Sequence, residues 1–410
     1  MHKPDPTNTF CSWPFKAIAL KLFSGDKLRI AWPCCMMGNK TKSSTDNDRL
    51  KIKDVHTLTP DEIFHHPRMD ELRQNLLNGV KDSACATCWE LEDIGVRSFR
   101  YFSENISDDE IENPRLEDID FTTSTECNLR CRMCSPGASN SLMIDHKFFK
   151  ENNLLSGYLD ASAGWWMDSG AFDFRPTSSA QWDWLMNNTD KITTLRLSGG
   201  EPFYDTKTIK LLNRYVETGA AKNTRILGIT NGTVMTDEVI AMLNNFKHSM
   251  NSFSIDGYGK IYDYIRFPST FVELDESVRR YVTNIRNMVN FNANIVLSAL
   301  NVSCIVDYIN WVRSLPCETE IVISQILTTD RGTSLYRLPT HLLEKYLSDL
   351  NVFSETDQTA NSVRSFIKDA IANNKEDKEK MLGEIVPFDL SRKQSYKDYL
   401  DPLLVDWLSK

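Results

Sequence analysis

The sequence predicts an α/β protein: a partial (β/α)6 barrel, preceded by a small cysteine-rich α+β module and followed by a helical C-terminal segment. Three observations carry this. From residue 116 onward, short apolar runs alternate with amphipathic helical stretches, the pattern of a parallel sheet with helices outside. Polar or Gly-containing loops follow most of those runs, and the chemically distinctive motifs of the region lie in such loops. Eight of the ten cysteines fall in the first third of the chain.

Length and composition bound the reading. A chain of 410 residues is long for one domain and comfortable for two. Hydrophobic residues make up 41% and charged residues 25%, as in ordinary folded proteins. The formal net charge of −9 argues against a protein that coats nucleic acid, which needs a positive surface. Residues 1–10 are polar and contain proline, with no apolar signal core, and no run approaches a membrane-spanning length. The expected location is the cytoplasm. In that setting cysteines bind metal more often than they form disulfides.

Residues 1–102 are expected to form the first unit. Cys11 opens it. Apolar stretches at 17–22 and 28–32, joined by Ser24-Gly25-Asp26-Lys27, read as a β-hairpin ending at Pro33-Cys34-Cys35. The hairpin would bring Cys11 and Cys34 together at one end. Residues 40–49 are a polar connector. Residues 61–80 read as one helix, capped by Asp61, with Leu72, Leu76, Leu77 and Val80 on a shared face. It delivers Cys85 and Cys88, a C-x2-C pair that can grip one metal centre. Residues 103–115, acidic and ending in Asn113-Pro114-Arg115, read as a linker.

The barrel is expected over 116–337. Its strands are placed at 118–123, 192–198, 225–230, 251–255, 294–300 and 320–327, with helices between them, for example at 206–218 and 237–246. An insertion at about 137–190 is rich in aromatics, including Trp165, Trp166, Trp182 and Trp184. Residues 338–410 read as mostly helical and charged, with 373–380 a solvated face or loop.

The loop after the first barrel strand carries Cys127, Cys131 and Cys134. Three thiolates can hold three corners of a cubic iron–sulfur cluster and leave one iron open, whereas most such clusters have four cysteines. This C-x3-C-x2-C spacing resembles the signature of the radical SAM superfamily, with Met133 where an aromatic residue is usual. The resemblance implies a 4Fe-4S cluster whose open iron binds S-adenosyl-L-methionine. Reductive cleavage then yields a 5′-deoxyadenosyl radical that abstracts hydrogen from a substrate. The hard chemistry belongs to the cofactor, and the protein supplies position and electrostatics. Gly199-Gly200-Glu201-Pro202, after the second barrel strand, resembles the segment that contacts the SAM amino group in that family. Thr230 and Asn231, Ser254 and Asp256, and Arg266 are the further candidates for ribose and carboxylate contacts. Turn chemistry alone also explains Asn-Gly and Asp-Gly pairs at those places.

The N-terminal cysteines resemble the twitch or SPASM-like module of radical SAM proteins, in the subgroup that carries it before the barrel. Residues 88–100 and 388–408 resemble the same subgroup. The implied ligands of a second, auxiliary 4Fe-4S cluster are Cys11, Cys34, Cys85 and Cys88, with Cys35 the rival of Cys34. A four-cysteine zinc site is the alternative chemistry for this module. Cys304 and Cys317 read as small buried hydrophobes. His65 and His66 show no ligand spacing.

The resemblance implies an enzyme that modifies a peptide or protein, with an electron donor such as flavodoxin or ferredoxin. The alternatives are an activase that makes a radical on a partner protein, and a non-catalytic zinc- or iron-binding interaction protein. No additional segment for cobalamin and no separate peptide-recognition domain are expected, since the cysteine module occupies the first hundred residues.

Overall fold

The computed structural model describes residues 2–5, 8–21, 30–34, 52, 55, 57–93, 98–122, 124–157, 159, 179–325 and 331–410. The turn at 24–27, Cys35, the connector at 40–49, Trp165 and Trp166 lie outside the described residues. Among the described residues eight strands form one sheet: β1 (Ala17–Lys21), β2 (Ile30–Trp32), β3 (Asp118–Thr122), β4 (Thr194–Ser198), β5 (Arg225–Thr230), β6 (His248–Ser254), β7 (Phe291–Leu297) and β8 (Thr319–Gln325). The order is β2-β1-β3-β4-β5-β6-β7-β8. Only β1 and β2 pair antiparallel, and the other six neighbouring pairs are parallel.

The expected hairpin is present, but it is also part of the main sheet. Ala17 pairs with Asp118 and Leu20 with Phe121 in a parallel ladder. Ala17, Ile18 and Ala19 are buried. An apolar strand of this kind cannot leave its edge and faces in water, and β3 offers both a partner and a core. The segment at 103–115 is tied down too. It holds a short helix, Asp108–Glu112, started by a reciprocal Ser107/Glu110 cap. Glu110 also pairs with Lys16 at 2.8 Å.

The six expected barrel strands are β3 to β8, with shifted ends. β7 begins at Phe291 because the alternation of Phe291, Ala293, Ile295 and Leu297 starts three residues before the expected boundary. The expected helix at 61–80 is two helices, Pro60–Phe64 and Pro67–Leu77. Pro67 lacks an N–H and forces His66 into extended backbone, so the chain breaks there. Thr59, not Asp61, is the N-cap, in a capping box with Glu62.

Parallel sheets usually have both faces covered. Here β5, β6 and β7 bury alternate residues under the helices and leave the opposite face half open. One rung of that open face runs Ile229, Ser252, Asn292, Glu320 in register. After the sheet come the helices Thr340–Asp349, Gln358–Ala372, Lys378–Arg392, Tyr396–Tyr399 and Pro402–Ser409. One continuous apolar core runs from Cys11 to Leu408, so the hairpin, the barrel strands and the last helix share it. No helix of the described residues is long and apolar enough to cross a membrane.

Candidate metal centres

Beyond the carboxyl end of β3 the chain turns into the cysteine loop. Cys127 and Cys131 are buried and Cys134 is partly exposed. The three thiols are mutual neighbours. Burial raises Cys127 to about 11, with the nearby Cys131 adding to the rise. Burial raises Cys134 to about 12, with Cys131 and Cys127 reinforcing it. Burial also raises Cys131, against the pull of Arg266. Metal binding at such thiols must displace protons.

The loop is fixed by its neighbours at each step. Gly200 N donates to Ser124 O at 3.1 Å, and Glu201 N donates to Glu126 O at 2.8 Å. Arg130 N donates to Phe267 O at 2.7 Å and Arg132 N to Ile265 O at 2.9 Å. The hydroxyls of Ser139 and Ser141 donate to Leu129 O and Cys127 O at 2.7 and 2.6 Å. Leu129 N and Asn231 Nδ2 both point at the Cys127 sulfur, at 3.4 and 3.9 Å.

The Gly-Gly pair therefore has a specific task. A Cβ on Gly200 would lie 2.0 Å from Glu126 O, and Gly199, at φ +133°, would put one 2.6 Å from Ser124 O. Both glycines let β4's loop press against the backbone of the cysteine loop. Glu201 is buried and joins the ends of β4 and β5. Its Oε1 accepts from the Thr230 hydroxyl at 2.8 Å and from Phe203 N at 3.2 Å, and its Oε2 accepts from Asn231 N at 2.6 Å. Burial lifts its carboxyl to about 7, although Asn231, Thr230 and Phe203 oppose the rise. Pro202 is buried beside it. Asn231 also donates to Asn128 Oδ1 at 2.9 Å.

Ser254 is half-buried at the end of β6. Asp256 is buried, accepts from Val296 N at 2.8 Å and pairs with Arg266 at 2.5 Å. Burial alone would lower the Arg266 pKa, but Asp256 and Cys131 outweigh it and hold it above its ordinary value. Arg266 Nε is buried without a partner among the described residues. A guanidinium beside Cys131 and N–H groups aimed at Cys127 are the surroundings that thiolate ligands need. A small cavity of about 10 Å³ borders Cys134, and His146, Arg331, Thr333 and Glu384 are among its walls.

The second centre lies at the other end of the sheet. Cys11, Cys34, Cys85 and Cys88 line one small pocket of about 20 Å³, partly open to solvent. Cys11 precedes β1 and Cys34 follows the antiparallel β2, so the hairpin places both at the sheet's amino end. A five-residue strand spans roughly 16 Å, so at least about that much separates the two centres. Burial raises Cys11 to about 12, and it raises Cys85 well above its ordinary value with Cys34, Cys11 and Cys88 adding to the rise. Cys85 and Cys88 are set by Asp82, which caps their turn through Ala84 N at 2.9 Å. Trp89 Nε1 donates to the Asp82 carbonyl at 3.0 Å.

Arg100 was not singled out by the sequence, yet it ties this module together. It is buried, donates to Phe10 O at 2.8 Å and pairs with Glu92 at 2.7 Å. Its charge acts on Cys11. Arg196 of β4 ties the sheet to this module: it pairs with Asp118 at 2.8 Å, and its guanidinium stacks 4.7 Å from the Trp13 ring. Among the described residues, no three His, Cys, Asp or Glu side chains stand in an arrangement that holds a metal ion as they are. Cys304 is buried in the barrel core, and Cys317 packs partly buried against it. His66 caps the helix Pro67–Leu77 through Arg68 N.

No family model matches the sequence. No curated protein matches it. Among solved structures the chain is similar to Streptococcus suis SuiB. The SuiB structure bound to S-adenosylmethionine is 12% identical, with a TM-score of 0.34, over 68% of this chain and 61% of that one. The structure bound to the precursor peptide SuiA is 12% identical, with a TM-score of 0.34, over 66% and 59%. A third SuiB structure is 13% identical, with a TM-score of 0.34, over 70% and 62%. The chain thus spans less than two thirds of the length of these structures.

Proposed function

We propose that the chain is a radical SAM enzyme that modifies a peptide or protein. The observation that carries this is the gathering of Cys127, Cys131 and Cys134 at the carboxyl end of β3, against Gly199-Gly200-Glu201 and Asn231. The support is that geometry and the C-x3-C-x2-C spacing, not the likeness to SuiB. The three thiols are the residues that would hold a 4Fe-4S cluster. When bound, that cluster supplies the electron that cleaves S-adenosylmethionine reductively. The protein's own part is positional. Asn231 and the Leu129 amide hydrogen-bond the Cys127 sulfur, and Arg266 offsets charge at Cys131. Glu201 locks the ends of β4 and β5 together, so the loop after each keeps its place.

Cys11, Cys34, Cys85 and Cys88 would hold the auxiliary 4Fe-4S cluster. Four thiols close the coordination, and their distance from the triplet supports a separate role. The half-open face of the sheet suits a peptide: Ser252, Ser254, Asn292 and Asn294 offer hydroxyls and amides there, and Asn294 Oδ1 is buried without a partner among the described residues. A donor such as flavodoxin or ferredoxin would supply the electron. The cytoplasm, with its reducing conditions, suits free thiols in this number.

Anaerobically purified protein should contain about eight irons and form 5′-deoxyadenosine from S-adenosylmethionine with dithionite. Four irons and one zinc would revise the N-terminal module alone. Two zincs without cleavage would replace this reading by a metal-stabilised interaction protein. Cys127→Ala should abolish cleavage, whereas Cys85→Ala should keep basal cleavage and block turnover.

A further inference from the structure

We propose that the helix Lys378–Arg392 is a positioning element for the cysteine triplet, acting through the two arginines that sit between the cysteines. Arg132 is buried, and each nitrogen of its guanidinium donates a hydrogen bond. Nε donates to Tyr264 O at 2.8 Å, Nη1 to Ile385 O at 3.2 Å and Nη2 to Asp389 Oδ1 at 2.6 Å. The same group lies 3.5 Å from the Tyr264 ring centroid. Asp389 is held in turn by the Tyr264 hydroxyl at 2.8 Å and by Tyr396 N at 2.7 Å.

The carbonyl of Arg130 accepts from Arg392 Nη2 at 2.5 Å. Arg392 pairs with Asp145 at 3.0 Å, both side chains being fully buried. Asp145 also takes Arg130 Nη1 at 3.4 Å and the Ser391 hydroxyl at 2.7 Å. The carbonyl of Arg132 accepts from Arg331 Nη2 at 3.3 Å, and Arg331 pairs with Glu384 at 3.4 Å. Glu384, Ile385, Phe388, Asp389 and Arg392 recur at helical spacing, so one face of the helix makes these contacts.

A buried ion pair adds little stability over an apolar replacement, and breaking one is costly. Such a network therefore fixes where groups stand more than it adds to stability. Here it grips the backbone on either side of Cys131, about 250 residues away in the chain. The link to a cluster rests on the function proposed above, but the clamp itself does not.

The test is alkylation of the iron-free full-length chain with iodoacetamide, read for each cysteine by mass spectrometry. In Asp389→Asn and in Arg132→Lys, Cys127, Cys131 and Cys134 should react about tenfold faster or more, as expected for loss of a hydrogen bond to a charged group. Cys304, buried in the barrel core, should react as before. Equal acceleration at Cys304, or none anywhere, would overturn the proposal. Should neither variant fold, hydrogen exchange on the unaltered chain decides. The amides of Arg130 and Arg132 should exchange as slowly as the helix Lys378–Arg392, and exchange at loop rates would count against the clamp. A chain that takes up no iron would refute the enzyme reading and leave these outcomes standing.

Discussion

Gly200→Ala is the sharpest local test of how the triplet is held. The added Cβ would stand 2.0 Å from Glu126 O, 2.5 Å from Glu126 C and 2.7 Å from Thr125 C. All three are backbone atoms of the cysteine loop, so no side chain can swing away. The oxygen must retreat to the 3.4 Å at which ordinary contact begins. That movement breaks the bonds from Gly200 N to Ser124 O and from Glu201 N to Glu126 O. Overpacking against backbone together with two lost hydrogen bonds should cost about 3–5 kcal/mol. For a chain of this length that is a fall in Tm of roughly 5 °C. Because the shift falls on the residues leading into Cys127, iron in anaerobic preparations should drop from about eight to about four per chain. Calorimetry and an iron assay read the two effects. Gly157→Ala is the control, since its Cβ would meet nothing within 4 Å. If Gly200→Ala keeps both the melting temperature and the iron of the parent, the two loops are not packed as described.

Three further outcomes follow from other contacts. Arg196→Ala removes the partner of the buried Asp118 and the cation over Trp13, and should cost about 3 kcal/mol in denaturant unfolding. A loss below about 1 kcal/mol, the scale of an exposed pair, would contradict that burial. Glu201 has a folded pKa raised to about 7, so it favours the folded state most below its unfolded value near 4.5, and that contribution is lost as pH rises through 7. The stability difference between the parent and Glu201→Gln should therefore change between pH 4.5 and 8, and a flat difference would remove Glu201 from the account. The triplet thiols titrate far above neutrality, with Cys127 at about 11 and Cys134 at about 12. Iron loading of the metal-free chain should release protons and strengthen from pH 7 to 9, and loading that is indifferent to pH would show that the thiols are already ionised.

The readable part of this protein was local. Cysteine spacing, the C-x2-C pair, the hairpin and the strand-then-loop rhythm are each short-range features of the chain, and local geometry follows from them directly. Those signals place β3 to β8 and set the motifs at their carboxyl ends. They also bring Cys11 and Cys34 to one pocket. The break at Pro67 was legible as well, since a proline cannot continue a helix, but the apolar spacing on either side masked it.

What only the tertiary structure decided was pairing across long separations. Nothing in residues 17–21 names β3 as their partner, about 100 residues on. Nothing in Gly199-Gly200 says that the surface they approach is the cysteine loop's own backbone. Arg130 and Arg132 read as unremarkable charges between cysteines until Asp145, Asp389 and Arg392 close around them. The physical reason is common to all three. A period or a spacing records which way a side chain faces, whereas a parallel ladder, a close backbone approach or a buried ion pair depends on which distant segment arrives there. That is settled only when the whole core packs at once.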